Sequence, residues 1–237
     1  MSDPLLDVTG LTARYGLAQV LFGVSLTLAR GEVAALVGRN GAGKSTTLKA
    51  ILGLVARDAD RLSFDGREIG ALPAYRVARL GLGYVPEERR IFTDLTVEEN
   101  LEVGRQPARA SRAAWTPERL FEIFPNLAEM RDRQASRMSG GEQQMLTIAR
   151  TLMGNPTAVL LDEPSEGLAP VIVEQMAAAV RAMKREGVAV LLSEQNLAFA
   201  GSIADRALVI DKGAIVFMGA MSAFLADRSL RERYLGV

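Results

Sequence analysis

The chain has 237 residues, of which 49% are hydrophobic, and its 28 Lys and Arg are balanced by 28 Asp and Glu. This neutral balance gives no reason to expect nucleic acid or an anionic lipid surface as a partner. The sequence contains neither cysteine nor histidine. That excludes disulfides, thiol catalysis, imidazole bases and histidine-bound zinc, and it leaves carboxylates, lysine and tyrosine as proton acceptors.

The N-terminal segment, MSDPLLDVTG, lacks the basic and apolar regions of a secretory signal, and no apolar run approaches the ~20 residues that cross a bilayer. We therefore expect a cytoplasmic protein. Strand-like segments with glycine turns come first. An apolar strand, a glycine-rich loop and an apolar-periodic helix then occupy residues 32–55. The stretch RLSFDGREIG, residues 61–70, is typical of a hairpin.

Residues 97–137 are charged and helical in pattern, and Pro107, Pro117 and Pro125 divide them into short helices. We interpret this segment as an inserted helical lobe. After it, helices and apolar strands alternate, and the chain closes with two strands and a helix. Apolar strands that are spaced by helices predict an α/β fold whose mostly parallel sheet is covered on both faces.

The glycine-rich loop GRNGAGKST, residues 38–46, matches the pattern G-x-x-x-x-G-K-[ST] between a strand and a helix. Its glycines would let backbone N–H groups point at phosphate oxygens, while Lys44 reaches the β- and γ-phosphates and Ser45 binds Mg²⁺. A chance glycine-rich turn is the alternative, but the strand and helix on either side favour a phosphate site. The residues expected to bind nucleotide here are Gly38, Arg39, Asn40, Gly41, Ala42, Gly43, Lys44, Ser45 and Thr46.

A second apolar strand, AVLLDEP (residues 158–164), ends in two adjacent carboxylates. Strand alternation would place Asp162 and Glu163 on opposite sides. Asp162 could then join the Mg²⁺ shell while Glu163 polarises the attacking water as the catalytic base. A carboxylate pair in a solvated turn is the alternative, which the nearby phosphate loop disfavours.

The segment MSGGEQQ, residues 138–144, is typical of a helix start with a capping box between Ser139 and Glu142. It also resembles the LSGGQ signature of the ATP-binding cassette (ABC) ATPases, with Met138 in place of Leu and Glu142 in place of Gln. The resemblance covers essentially the whole chain. It implies an ABC-type P-loop NTPase: a RecA-like mostly parallel sheet with an antiparallel β subdomain and an inserted helical subdomain.

The resemblance implies that residues 1–237 form a single ABC ATPase domain. Residues 1–96 and 141–237 would form the catalytic core, and residues 97–140 the helical signature subdomain. It further implies that ATP and Mg²⁺ bind, and that two cassettes pair head to tail. Three residues would then contact a γ-phosphate held by the partner cassette, namely Ser139, Gly140 and Gly141.

Tyr15 lies where the family places an aromatic residue on adenine, although ordinary packing in the sheet would also explain it. Gln195, in LLSEQNL, stands at the place of the family's switch histidine. An amide can donate a hydrogen bond but does not titrate near neutral pH, so we expect Gln195 to assist catalysis without carrying a proton. The alternative is that Gln195 only caps the following helix.

Two more positions depart from the family pattern. Glu87, in YVPEERRIF, replaces the usual glutamine of a loop that meets both nucleotide and membrane subunits, and it could still ligate Mg²⁺. Ala169 replaces an aspartate that usually makes a contact across the dimer interface. Together with Lys44 and Glu163, Gln195 completes the predicted catalytic set, and the predicted metal ligands are Ser45, Asp162 and Glu87.

These departures, with the segments SGGEQQML, DEPSEGLAP and SEQN, resemble one branch: the LivF-type ATPases of branched-chain amino-acid importers. That resemblance implies a protein at the inner face of the cell membrane. Its partners would be a second ABC subunit, identical or LivG-like, and two permease subunits, served indirectly by a periplasmic binding protein. Importers of urea, amides or other amino acids use similar ATPases and remain alternatives.

Two other functional classes fit the sequence less well. A non-transport ABC ATPase acting on DNA or ribosomes is disfavoured, because the chain has no long coiled coil, no second cassette and no basic stripe, and no nucleic-acid partner is expected. A P-loop kinase for small molecules is disfavoured by the SGGEQQ segment and by the lack of an arginine-rich closing loop.

Overall fold

The computed structural model of the chain describes residues 3–109 and 113–236, which form two β-sheets and the helices that cover them. The strands are β1 (Leu6–Tyr15), β2 (Ala18–Leu28), β3 (Val33–Val37), β4 (Ala56–Asp58), β5 (Arg61–Phe64), β6 (Arg67–Glu68), β7 (Leu82–Val85), β8 (Ala158–Asp162), β9 (Ala189–Glu194), β10 (Arg206–Asp211) and β11 (Ala214–Ala220). The helices are α1 (Lys44–Leu52), α2 (Ala74–Leu80), α3 (Val97–Gly104), α4 (Pro117–Ile123), α5 (Pro125–Ala128), α6 (Gly140–Leu152), α7 (Pro170–Arg185), α8 (Leu197–Ile203), α9 (Met221–Ala226) and α10 (Arg228–Tyr234).

The larger sheet has six strands in the order β11-β10-β3-β9-β8-β7, and every neighbouring pair is parallel except β10 with β11. Its central strands consist almost entirely of buried apolar residues. On β3, Val33, Ala35 and Val37 enter one core cluster, while Ala34 and Leu36 enter the other. The sheet is therefore covered on both faces, which confirms the predicted α/β class.

The smaller sheet is antiparallel, with the order β2-β1-β5-β6 and β4 also paired to β1. The hairpin predicted at residues 61–70 is confirmed by the pairing of β5 with β6. Its turn places Asp65 and Gly66 at φ 51° and 73°. An Asp-Gly pair is favoured there because both central residues of such a turn need positive φ.

Short helices fill the segment after β7, as the prolines predicted. Pro117 and Pro125 stand at the first positions of α4 and α5, where a missing N–H costs no hydrogen bond. A short 3₁₀ turn at Ala135–Arg137 leads to the longer helix α6. Where the helical subdomain begins and ends stays a prediction.

The predicted capping box at the start of α6 is confirmed. The Ser139 N–H donates to Oε2 of Glu142 at 2.6 Å, and the Glu142 N–H donates to Oγ of Ser139 at 3.4 Å. These bonds satisfy N–H groups that the first turn of a helix leaves without partners.

Register brings the chemical residues together at one edge of the larger sheet. Asp162 at the end of β8 is paired with Ser193 of β9, and Glu194 is paired with Val37 at the end of β3. Because parallel strands end on the same side, the loops that follow these strands meet there. Within the described residues, none of the helices has the length and apolar character needed to cross a membrane.

Candidate functional site

The loop between β3 and α1 takes the shape expected of a phosphate loop. Gly43 adopts φ 111° immediately before α1, a conformation that residues with a side chain rarely reach. Gly38 approaches the β10 strand so closely that a Cβ atom there would lie 2.5 Å from the carbonyl oxygen of Ile210. Both positions therefore require glycine, and the backbone N–H groups between them can turn inward.

Lys44 folds back along this loop. Its Nζ donates to the carbonyl oxygens of Gly38 and Arg39 at 3.0 and 3.3 Å. The side chain is only 3% exposed, and Nζ also lies 3.0 Å from Oε1 of Glu163 in an ion pair. A buried ammonium group needs such partners, because an unpaired charge in a dry site costs several kcal/mol.

Asp162 is the last residue of β8 and is fully buried. Its Oδ1 accepts hydrogen bonds from the hydroxyls of Ser45 at 2.8 Å and Ser193 at 2.7 Å, and its Oδ2 accepts one from the Tyr84 hydroxyl at 3.2 Å. Burial is the main cause that raises the pKa of Tyr84 far above its ordinary value, and the negative charge of Asp162 is the second. Tyr84 therefore stays a hydrogen-bond donor to this carboxylate.

Glu163 follows the strand, and its φ of 45° turns the chain out of the β conformation. The predicted placement of Asp162 and Glu163 on opposite sides rested on strand alternation, which does not extend to Glu163 because the strand ends at Asp162. Instead the two carboxylates reach neighbouring residues of the phosphate loop, Asp162 at Ser45 and Glu163 at Lys44. The left-handed backbone at Glu163 is what allows this arrangement.

The strand-end segment LLSEQNL joins this group. Gln195 Nε2 donates to Oε2 of Glu163 at 2.7 Å, so the amide lies at the carboxylate predicted to act as the base. The alternative in which Gln195 caps the next helix is wrong. The cap of α8 is Asn196, whose Oδ1 accepts the N–H of Phe199 at 3.1 Å.

An open cleft of about 520 Å³ lies over the phosphate loop, within the range of roughly 300–1,000 Å³ common for small-molecule sites. Its described lining includes Val20, Asn40, Gly41, Gly43, Lys44, Ser45, Thr46, Glu87, Glu163 and Glu166. Glu87, predicted as a metal ligand, thus faces the same cleft as Ser45. Asp162 lies beneath it, bonded to Ser45.

The donor chemistry suits Mg²⁺ carried by a nucleotide. Among the described residues, no group of three or more acidic side chains could hold a metal by itself. Mg²⁺ usually takes one or two carboxylates and completes its shell with phosphate oxygens and water. The adjacent Ser45 hydroxyl and Asp162 carboxylate match that pattern, and a bound metal would supply charge stabilisation for phosphoryl transfer.

Apart from Gly38, Arg39 and Ala42 of the phosphate loop itself, two groups of predicted nucleotide contacts lie outside this lining. Tyr15 is half exposed at the end of β1, where the chain turns into β2; on the same hairpin Val20 does reach the cleft. Ser139, Gly140 and Gly141 start helix α6, and the described lining of the cleft does not include them. The structure therefore brings together the phosphate loop, Asp162, Glu163, Gln195 and Glu87, but not the signature.

Sequence reasoning missed four polar residues around the site: Tyr84, Ser193, Glu194 and Glu166. The first three lie at or near the ends of the strands that flank β8 and β3, and that position was the available signal. Glu166 lines the cleft, and burial followed by the negative charges of Glu163 and Glu87 raises its pKa. Its proximity to Glu163 follows from the turn after β8 rather than from any motif.

This combination of a phosphate loop, a strand-end aspartate on its serine and a glutamate beside it defines a P-loop nucleotide hydrolase. The profile of the ABC transporter family matches residues 21–166. The chain belongs to the ABC transporter family and is an ATPase, the ATP-binding subunit of a transporter.

Two relatives and one solved structure show how close the match is. The chain is 41% identical over 232 residues to the high-affinity branched-chain amino acid transport ATP-binding protein BraG of Pseudomonas aeruginosa, covering 98% of this chain and 100% of that one. It is 34% identical over 233 residues to the lipopolysaccharide export system ATP-binding protein LptB of Escherichia coli, covering 98% and 97%. The ADP conformation of MJ1267, an ATP-binding cassette of an ABC transporter, superimposes with a TM-score of 0.83 at 26% identity and full coverage of both chains.

Proposed function

We propose that this chain is a LivF-type ATPase that powers the import of branched-chain amino acids (Leu, Ile and Val). The observation that carries this proposal is the 41% identity to BraG over nearly the whole of both chains. The identity to the lipopolysaccharide exporter subunit LptB, 34%, is lower over a similar length. Importers of urea, amides or other amino acids remain the alternative within the same role.

The proposed chemistry follows from the contacts in the cleft. The phosphate loop binds ATP and Lys44 neutralises its terminal phosphates. The Ser45 hydroxyl and the Asp162 carboxylate would hold Mg²⁺, with Glu87 available in the same cleft. Glu163 orients and deprotonates the attacking water. Gln195 holds the Glu163 carboxylate through its amide N–H and transfers no proton.

The separation of the signature from the cleft supports a head-to-tail pair of cassettes. In that pair Ser139, Gly140 and Gly141 would complete the ATP site of the partner, which is either a second copy or a LivG-like subunit. Tyr15 would support adenine. Two permease subunits would bind at the inner face of the membrane, in contact with the subdomain of residues 97–140 and the loop of Glu87. A periplasmic binding protein would deliver the substrate from outside.

Reconstitution tests this function. The chain is co-expressed with the proposed partners (a second cassette, two permeases and a binding protein of the same branched-chain amino-acid class), and the purified complex is placed in liposomes. We expect ATP-dependent uptake of radiolabelled leucine that competes with isoleucine and valine, and no uptake with the Glu163→Gln chain. Uptake of labelled urea or amides without leucine would reassign the substrate. Co-purification with lipopolysaccharide export subunits would instead contradict import.

A further inference from the structure

Glu194 is a buried carboxylate that the proposed reaction does not use. It is the last residue of β9 and is 2% exposed. Its Oε1 accepts the N–H of Ser165 at 3.1 Å, and its Oε2 accepts the N–H groups of Gln195 and Asn196, each at 3.0 Å. Burial raises its pKa, and within the described part of the chain no Lys or Arg forms an ion pair with it. Hydrogen bonds from the three backbone N–H groups and from the Ser165 side chain therefore balance this charge.

Those three N–H groups belong to two different loops. Ser165 follows Glu163 in the loop after β8, whereas Gln195 and Asn196 begin the loop after β9. The Glu194 carboxylate thus connects the loop that follows Glu163 to the loop that carries Gln195, whose amide contacts Glu163. The neighbouring Ser193 makes a parallel link, since its Oγ donates to Asp162 and accepts the N–H of Glu163 at 3.1 Å.

Packing fixes only one side of the contact between Glu163 and Gln195, since Glu163 is buried and Gln195 is exposed. Gln195 is an exposed residue, so burial contributes little to the position of its amide. Glu163 has a left-handed backbone that other contacts must maintain. Lys44 and burial hold the Glu163 side of the 2.7 Å contact with Gln195 Nε2, so the position of Gln195 depends on the hydrogen bonds that hold its loop.

We infer that Glu194 is a positioning residue for ATP hydrolysis, which holds the Ser165 and Gln195 loops together and so keeps the Gln195 amide on the Glu163 carboxylate. This inference rests on the proposed ATPase role of Glu163. It explains why the strand ends in the series Ser193, Glu194 and Gln195. Each of the three residues bonds to a different part of the segment 162–165.

The first test is Glu194→Gln, which keeps the size of the side chain but turns an amide NH₂ toward backbone N–H donors. We expect kcat to fall by about tenfold to a hundredfold, because a small misplacement of a catalytic group has that effect. The KM for ATP and the Kd of a fluorescent ATP analogue should stay within about twofold, since the phosphate loop is untouched. Glu194→Asp, which keeps both oxygens, should recover part of kcat, and Glu68→Gln on the exposed strand β6 is the matched control.

A double variant then separates positioning from general damage. If Glu194 acts through Gln195, then Glu194→Gln combined with Gln195→Ala should show the kcat of the more impaired single variant, within about twofold. Hydrogen exchange provides a readout that needs no turnover. The amides of residues 163–168 and 194–199 should exchange faster in Glu194→Gln, while the control leaves them unchanged.

Additive losses in the double variant, or unchanged exchange in both segments, would overturn the inference. A parallel loss of ATP affinity, kcat and thermal stability in Glu194→Asp would assign Glu194 a structural role only, and would also overturn it. A wild-type chain without ATPase activity would count against the proposed function instead. The exchange measurement would still decide whether Glu194 holds the two loops together.

Discussion

Lys44 Nζ and Glu163 Oε1 lie 3.0 Å apart, as an ion pair whose side chains are 3% and 8% exposed. The lysine of the phosphate loop is thus paired with the carboxylate proposed as the base. A bound triphosphate would compete with Glu163 for the ammonium group, because both are anions and Lys44 is their shared partner. We expect nucleotide binding and release of the Glu163 carboxylate to be linked through this pair.

The first prediction concerns Glu163→Gln. Removal of the charge should lower kcat by at least about a hundredfold, as loss of a general base does. The variant should also bind ATP about tenfold more tightly, because the Lys44 ammonium group no longer has to break an ion pair with Glu163. That factor corresponds to about 1.4 kcal/mol of binding free energy. Titration with a fluorescent ATP analogue would measure the affinity. Size-exclusion chromatography with ATP would detect an ATP-dependent dimer.

For that variant, Glu68→Gln serves as the control, since Glu68 lies on the exposed strand β6. Turnover by Glu163→Gln near the wild-type rate would show that another group acts as the base. Weaker ATP binding than wild type would show that the ion pair does not compete with nucleotide.

Lys44→Ala should abolish nucleotide binding and also destabilise the apo protein. The change leaves the buried Glu163 carboxylate without its counter-charge, and breaking a buried pair costs about 3 kcal/mol or more. Urea unfolding without nucleotide would measure this loss. Lys49→Ala on the same helix is the control, and equal stability of Lys44→Ala and wild type would argue against a significant ion pair in solution.

The two signature glycines should respond differently to alanine. At Gly141 a Cβ atom would lie 2.9 Å from Ile172 Cγ2, in the body of a branched side chain, so Gly141→Ala should cost about 1–3 kcal/mol of stability. At Gly140 it would lie 2.3 Å from Nη1 of Arg89, the end of a flexible side chain that can move. Gly140→Ala should therefore stay within about 1 kcal/mol of wild type. Thermal unfolding of both variants compares them directly, and a reversed order would contradict the packing described at α6.

Gln195→His should keep ATPase activity, because an imidazole N–H can replace the amide donor at Glu163. The wild-type chain contains no histidine, so the variant introduces the only group with an ordinary pKa of about 6.5. Its kcat should gain a dependence on pH around that value that the wild-type profile lacks. Complete inactivity at every pH would show that the site accepts only an amide.

Several features could be predicted because their physical cause is local. The order strand, glycine-rich loop, helix around Lys44 follows from apolar periodicity and from glycines that permit positive φ. The capping box at Ser139 and the Asp65-Gly66 turn depend on residues three or fewer positions apart. Two of the short helices after β7, α4 and α5, begin at prolines because proline tolerates the first helical position.

The sequence by itself therefore determined the α/β class, the phosphate loop, the carboxylate pair and the family signature, because each depends on residues that are close together in the chain. The tertiary structure alone decided which of these groups touch. The contacts of Asp162 with Ser45, Glu163 with Gln195 and Glu194 with Ser165 join positions 117, 32 and 29 residues apart. Such pairs are set by the register and order of parallel strands, which long-range packing of buried residues fixes and no local pattern records.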